Sequence, residues 1–277
     1  MTVSILIPSS LVRETEDKRE ATRKLGTIAR AATIFRVDQV IIFPDREGEK
    51  YWGGGFVETV LRYAATPPDL RKEVWGTRDE LEYAGVLPPL HALSQTGSGS
   101  SDPGSLRQGI VTEVGPDGRV RVNCGLQHPI SLPVPSKMSV QEGERVTVRV
   151  SSRRPVRAKL ADEPVSGFQV YRADLPEALS WSDTGLCIAA SRYGQDLTVD
   201  TLDELTSEIS QRGLTIAFGA PQRGLPDIFG IDIDDVADGD PAQGFDRWVN
   251  TIPNQGSRTV RTEEAIFASL ASLTLTE

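Results

Sequence analysis

The hydrophobic period of this chain changes twice, and that change constrains the fold more than any single motif. Val3–Ile7 and Val40–Phe43 are short continuous apolar runs, stopped by Pro8 and by Pro44-Asp45, as expected of strands buried on both faces. Between them, Arg19–Phe35 sets Leu25, Ile28 and Ala32 at helical spacing, and after Gly53–Gly55 the stretch Phe56–Ala65 puts Val57, Val60, Leu61 and Ala64 on one face. Strands alternating with helices predict a parallel sheet covered on both sides. Ser94–Ser105, reading SQTGSGSSDPGS, has the composition of a flexible linker. Beyond it the period becomes alternating, in Gly109–Val114, Val120–Asn123 and Arg145–Val150, with a turn at Gly115-Pro116-Asp117-Gly118. Several short strands in so small a span predict a small OB-like barrel, another small antiparallel module being the alternative. After Val165 the α/β pattern resumes with Gly185–Ala190, Val199–Gln211, Leu214–Phe218 and Arg247–Ile252 before a final helix. The expected organisation is an α/β domain of residues 1–92 and 164–277, interrupted by residues 93–163 as a linker plus a β insert.

Composition removes several chemistries. Cys124 and Cys187 are the only cysteines, and His91 and His128 the only histidines. A disulfide framework and a Cys/His zinc site are thereby excluded. Asp232, Asp234, Asp235, Asp238 and Asp240 form an acidic run, but it lacks the Gly and Glu of a calcium loop and reads as a solvated turn; no metal is expected. The start lacks a basic leader, and no apolar stretch approaches the ~20 residues of a membrane span, so the expectation is a cytoplasmic protein without membrane contact.

Charge is unevenly spread. The net is −9, yet residues 104–162 carry ten basic against five acidic side chains, while residues 163–277 carry seven against 19. A basic insert on an acidic protein points to a local polyanion contact, RNA above all. Arg149, Arg153, Arg154, Arg157 and Lys159 cluster at its end and are the candidate RNA-binding residues.

Two C-terminal loops carry the remaining signal. Phe218-Gly219-Ala220-Pro221-Gln222-Arg223-Gly224-Leu225 follows a strand-like run, and its glycines let backbone approach a ligand closely. Val249-Asn250-Thr251-Ile252-Pro253-Asn254-Gln255-Gly256-Ser257-Arg258-Thr259-Val260-Arg261-Thr262-Glu263-Glu264 precedes an amphipathic helix with the stripe Ile266, Leu270 and Leu273. Neither a G-x-G-x-x-G fingerprint nor a Walker A sequence is present. An ordinary turn and an elaborate helix cap remain the plainer readings of either loop alone.

Together the two stretches, FGAPQRGL at 218–225 and VNTIPNQGSRTVRTEEAI at 249–266, resemble the SPOUT superfamily. The resemblance is to its archaeal and eukaryotic branch of RNA methyltransferases with an inserted OB-like domain, and it extends over the whole chain. It implies a Rossmann-like α/β domain closed by a trefoil knot, interrupted by a small all-β OB-like barrel. It implies S-adenosylmethionine as cofactor, with backbone contacts from Gly219, Ala220, Asn250, Thr251, Ile252 and Gln255, and close approach at Gly224 and Gly256. The resemblance also places Ala190-Ser191-Arg192-Tyr193-Gly194 near the reacting methyl. Arg192 is then the catalytic candidate, holding an RNA phosphate or stabilising an anion on the acceptor, and Arg258 and Arg261 contact RNA or bridge subunits. Ribosomal RNA is the implied substrate class, at a uridine N3, with ribose 2′-O transfer as a variant, and a homodimer is the implied assembly. Competing classes are a non-catalytic RNA-binding or ribosome-assembly factor that keeps the fold, and a metabolic nucleotide-binding enzyme, which leaves the basic insert without a role.

Overall fold

The computed structural model describes residues 2–90, 105–126, 128–153, 156–163, 165 and 167–275. In chain order the elements are β1 (Val3–Pro8), α1 (Lys18–Ile34), β2 (Gln39–Phe43), α2 (Gly54–Ala65) and α3 (Pro68–Trp75). There follow β3 (Ser105–Val114), β4 (Arg119–Asn123), β5 (Ile130–Pro133), β6 (Arg145–Arg153) and β7 (Val156–Ala161). The chain then forms β8 (Gln169–Arg172), α4 (Leu175–Leu179), β9 (Leu186–Asp196), α5 (Val199–Arg212), β10 (Leu214–Phe218), α6 (Leu225–Phe229), β11 (Arg247–Asn250) and α7 (Thr262–Leu273). Two compact units result: one of Met1–Ala65, Asp79–Leu90 and Phe168–Glu277, the other of Thr66–Arg78 and His91–Gly167.

The first unit is a six-stranded sheet in the order β11-β9-β10-β1-β2-β8, parallel at every pairing. Both faces are covered, so β1 and β10 are buried along their whole length, which is why they read as continuous apolar runs. One face carries Leu6, Ile41, Ala189 and Ala217 onto a cluster built around Phe43, Phe245 and Trp248. Helix α1 begins where the Asp17 side chain accepts from the Glu20 N–H at 2.7 Å, an N-cap. In α7 the stripe Ile266, Leu270 and Leu273 is buried within the chain. That stripe serves the chain's own core, so it offers no apolar face for pairing two chains.

The second unit is a five-stranded antiparallel sheet, β5-β4-β3-β6-β7, around Val111, Val120, Val122, Leu132, Val146, Val148, Val150 and Leu160. Its edge strands β5 and β7 approach one another, leaving the sheet nearly closed. Gly109 permits this packing, since a Cβ there would lie 2.4 Å from Val122 Cγ1. Three strands, β5, β7 and β8, and the short helices α3, α4 and α6 leave no evident hydrophobic pattern. The linker Ser94–Ser105 lies outside the described residues except for Ser105, which opens β3.

Candidate active site

A cleft of about 200 Å³ opens at the C-terminal ends of β9, β10 and β11. This is where parallel α/β sheets bind ligands, outside the carboxyl ends of their strands. Its first wall is a distortion in β9. Trp248 pairs with Ala189, but the next residue, Val249, pairs with Gln195. Ala190–Gly194 therefore has no partner on β11 and bulges within β9 rather than following the strand as a loop, while Ala190 still pairs with Phe218 of β10. Gly194 makes the bulge possible, because a Cβ there would sit 2.5 Å from the Trp248 carbonyl carbon. On the bulge, Arg192 is exposed. Its guanidinium lies 4.6 Å from the Tyr193 ring centroid and donates to the Tyr193 hydroxyl.

The second wall is the loop after β10. Ala220 N–H donates to Arg223 O at 2.9 Å and Arg223 N–H to Ala220 O at 3.0 Å, a tight turn in which Gln222 takes φ +58°. A Cβ on Gly219 would stand 2.9 Å from Gly224 Cα and 3.0 Å from Arg223 O. The glycine is thus required by the loop's own backbone, before any ligand is considered. Thr262 Oγ1 donates to Gly219 O at 2.8 Å, and Gly224 N–H donates to Asp227 Oδ2 at 2.9 Å.

Arg223 fixes this turn to the rest of the sheet. Its Nε and Nη2 donate to Asp45 Oδ1 at 3.1 and 2.9 Å, and Nε reaches Oδ2 at 3.0 Å. Asp45 lies just beyond β2 with 2% of its side chain exposed, against 19% for Arg223. Ser10 Oγ donates to Asp45 Oδ2 at 2.5 Å, and Asp45 N–H donates to Ser9 Oγ at 2.9 Å. Burial pushes the Asp45 carboxyl up, but hydrogen bonds from Arg223 and Ser10 and the Arg223 charge outweigh it and hold the pKa below the usual range. The Arg223 pKa is correspondingly raised, first by its bond to Asp45.

The third wall is the segment from β11 to α7. Asn250 Nδ2 donates to Asp196 Oδ1 at 2.8 Å, while its Oδ1 accepts from Ile252 N–H at 3.2 Å. Thr251 and Ser269 hydroxyls meet at 2.8 Å. Gln255 Nε2 donates to Ser257 O at 2.8 Å, and Asn254 adopts φ +60°. At the helix start, Arg261 N–H donates to Glu264 Oε2 at 2.8 Å. Buried Lys24 contacts Glu263 at 3.2 Å and also pairs with Glu14, tying α7 to the rest of the unit.

The cleft brings together Arg192, Gly219, Ala220, Gly224, Asn250, Thr251, Ile252, Gln255 and Arg258. Gly256 and Arg261 are not on its wall, and a Cβ on Gly256 would meet nothing within 4 Å. Gly256 therefore has no close approach to protect within the chain. In the β unit, Arg149 and Lys159 are cross-strand partners and Arg157 is exposed, but Arg149 is paired with Glu163 at 3.2 Å. Arg154 lies outside the described residues, and of Arg153 only the backbone, at the end of β6, is described. The acidic side chains of 232–240 are exposed, and no group of metal-holding residues occurs among the described residues. Nor is any helix there long and apolar enough to cross a membrane.

Asp45 and Asp227 carry no functional signal in the sequence, and Tyr193 and Thr262 lie in the quoted stretches without a role of their own. The only local sign of Asp45 is a carboxylate directly after a buried strand, and its partner Arg223 is 178 residues away.

The lining suits an adenosyl group. Half-buried Ile252 and Val260 offer apolar surface for a flat ring, and the loop backbones and Asn250 supply donors and acceptors for its edges and sugar.

A family described as "Putative RNA methyltransferase" matches residues 2–273. An uncharacterised protein of Haloarcula marismortui is 66% identical over 100% of both chains. The human 28S rRNA (uridine-N(3))-methyltransferase is 31% identical, over 98% of this chain and 77% of its own. Among solved structures, TrmJ from Z. mobilis aligns with 100% of this chain and 70% of its own at 12% identity and a TM-score of 0.40.

Proposed function

The chain belongs to this family of putative RNA methyltransferases, and we propose from that premise that it transfers a methyl group from S-adenosylmethionine to ribosomal RNA, at N3 of a uridine. The carrying observation is the cleft at the ends of β9–β11, whose three walls are each held by specific hydrogen bonds and which takes in the residues expected to face the cofactor, Gly256 excepted. A relative named for uridine N3 of 28S rRNA, 31% identical over nearly the whole chain, supports the acceptor.

When bound, S-adenosylmethionine supplies a methyl group on a cationic sulfur. The chain's part is to orient and to stabilise charge. Ile252 and Val260 pack the nucleoside, and Asn250, Thr251 and Gln255 bond its polar edges. The imide proton passes to solvent and leaves negative charge on the uracil carbonyls flanking N3, which exposed Arg192 on the cleft lining stabilises. Its release from the Tyr193 ring costs only ~0.5–1 kcal/mol. Arg258 holds a neighbouring phosphate.

Calorimetry with S-adenosylhomocysteine should give one site per chain. No heat at millimolar ligand would remove the cofactor from the proposal.

We place further RNA contact on the β unit, read as an OB-like barrel, with Arg157 and Lys159 exposed on β7. Changing both to Ala should weaken RNA binding and flatten its log–log salt slope by about 2, with S-adenosylhomocysteine binding unchanged; unaltered RNA affinity contradicts this. A trefoil knot through the 219–224 and 250–261 loops, a cytoplasmic site of action and pairing of two chains complete the proposal and rest on the family resemblance. Light scattering at twice 30.1 kDa supports pairing, and a constant monomer mass removes it.

A further inference from the structure

The loop from β2 to α2 carries a surface that the cleft does not use. Tyr51 is 72% exposed and is the one aromatic side chain among the described residues that stands mostly in solvent. Its ring lies 5.6 Å from that of Trp52, which lies 5.8 Å from that of Phe56. Phe56 is buried in the first turn of α2, so the two outer rings form a short ladder with a rigid root.

The charges of this loop sort themselves. Asp45 is taken by Arg223, Glu47 also faces Arg223 at 3.5 Å, and Glu49 accepts from Gly54 N–H at 3.1 Å. Arg46 and Lys50 are exposed and have no ion pair among the described residues. The unengaged charge beside the aromatic ladder is therefore positive. Aromatic faces with adjacent cations fit a single-stranded nucleic acid, whose bases stack and whose phosphates are neutralised.

We propose that Tyr51 and Trp52 are a stacking platform for unpaired RNA next to the target nucleotide, with Arg46 and Lys50 on its phosphates. This rests on the RNA methyltransferase reading. The location supports it: the loop is rooted at Asp45, and Asp45 holds Arg223 on the wall of the cleft. So does the chemistry, because N3 of uridine is engaged in a base pair within a duplex, and enzymes acting on a base take it out of the stack.

The test is fluorescence anisotropy with a uridine-rich single strand of about 12 nucleotides, within the span of one binding site, and with the same strand in duplex. Wild type should prefer the single strand. Tyr51→Ala should bind it about tenfold more weakly, the factor that ~1.4 kcal/mol of lost stacking produces, and Tyr51→Phe should restore it. Arg46→Ala with Lys50→Ala should flatten the salt slope. All variants should take up S-adenosylhomocysteine like wild type. Single-strand affinity unchanged in Tyr51→Ala, or duplex bound as tightly as single strand, overturns the platform. Failure of wild type to take up S-adenosylhomocysteine, read in a separate titration, overturns the methyltransferase reading itself.

Discussion

Asp45→Asn should lower stability by about 3 kcal/mol at neutral pH, the scale of breaking a buried ion pair by removing one partner. The carboxylate is almost fully enclosed and receives both Arg223 and Ser10. Neutralising it leaves Arg223, itself only 19% exposed, with only the solvent-exposed Glu47 at 3.5 Å as counter-charge. The sign of the pH dependence follows from the lowered carboxyl pKa. The native state holds the charged form more strongly than the unfolded chain, so this stabilisation is fully present above the ordinary value of ~3.9. It fades as pH falls below that value and through the folded pKa. Thermal melts should show wild type above the variant by roughly 6–12 °C at pH 7, with the gap closing in acid. A constant gap from pH 7 to pH 3 would contradict the ion pair as its source. Because Arg223 also anchors the 219–224 turn, the variant's affinity for S-adenosylhomocysteine should fall as well.

Gly219→Val should abolish cofactor binding, and the reason lies in the chain rather than in the ligand. A Cβ at 219 meets Gly224 Cα at 2.9 Å and the Arg223 carbonyl at 3.0 Å. Backbone atoms cannot rotate aside, so the loop must open, at a cost of about 1–3 kcal/mol. Two further glycines separate this effect from contact with the cofactor. At Gly224 a Cβ meets Pro226 Cδ at 3.5 Å and Asp227 Oδ2 at 3.8 Å, both ordinary contacts, and the residue lines the cleft. Gly224→Ala should fold normally and bind S-adenosylhomocysteine more weakly. Gly256→Ala, open on all sides, should match wild type in both respects. Calorimetry and circular dichroism on the three variants decide the matter; weakened binding in Gly256→Ala would place Gly256 itself against the ligand.

The parts of this fold legible in the sequence are those whose burial leaves a continuous or helical apolar pattern. β1 and β10 sit in the middle of the sheet with both faces covered, and their runs are unbroken. β8 is a four-residue edge strand, and β5 ends in Pro133, too short to show a period. β7 reads VRAKLA: its alternation is that of a half-buried strand, but Arg157 and Lys159 draw the eye to charge. The stripe in α7 was visible, yet periodicity does not say what covers a stripe, and here the chain's own core does. The cleft's two loops stand out by their contiguous Gly, amide and hydroxyl residues, but only the family resemblance gives them a cofactor to hold. The Asp45–Arg223 bond was not, since pairing over 178 positions leaves no local trace. Gly219 shows the same limit: the residue was evident, but the atoms it avoids were not.

Total RNA from cells lacking this gene, incubated with the protein and S-adenosylmethionine labelled in its methyl group, should take up label in ribosomal RNA. Digestion should place that label at N3 of a uridine, Arg192→Ala should reduce it by about 10²-fold or more, and RNA from cells that carry the gene should take up little. Wild-type protein that binds S-adenosylhomocysteine and RNA but leaves ribosomal RNA unlabelled would contradict the account and make the chain an RNA-binding factor that keeps the fold without turnover.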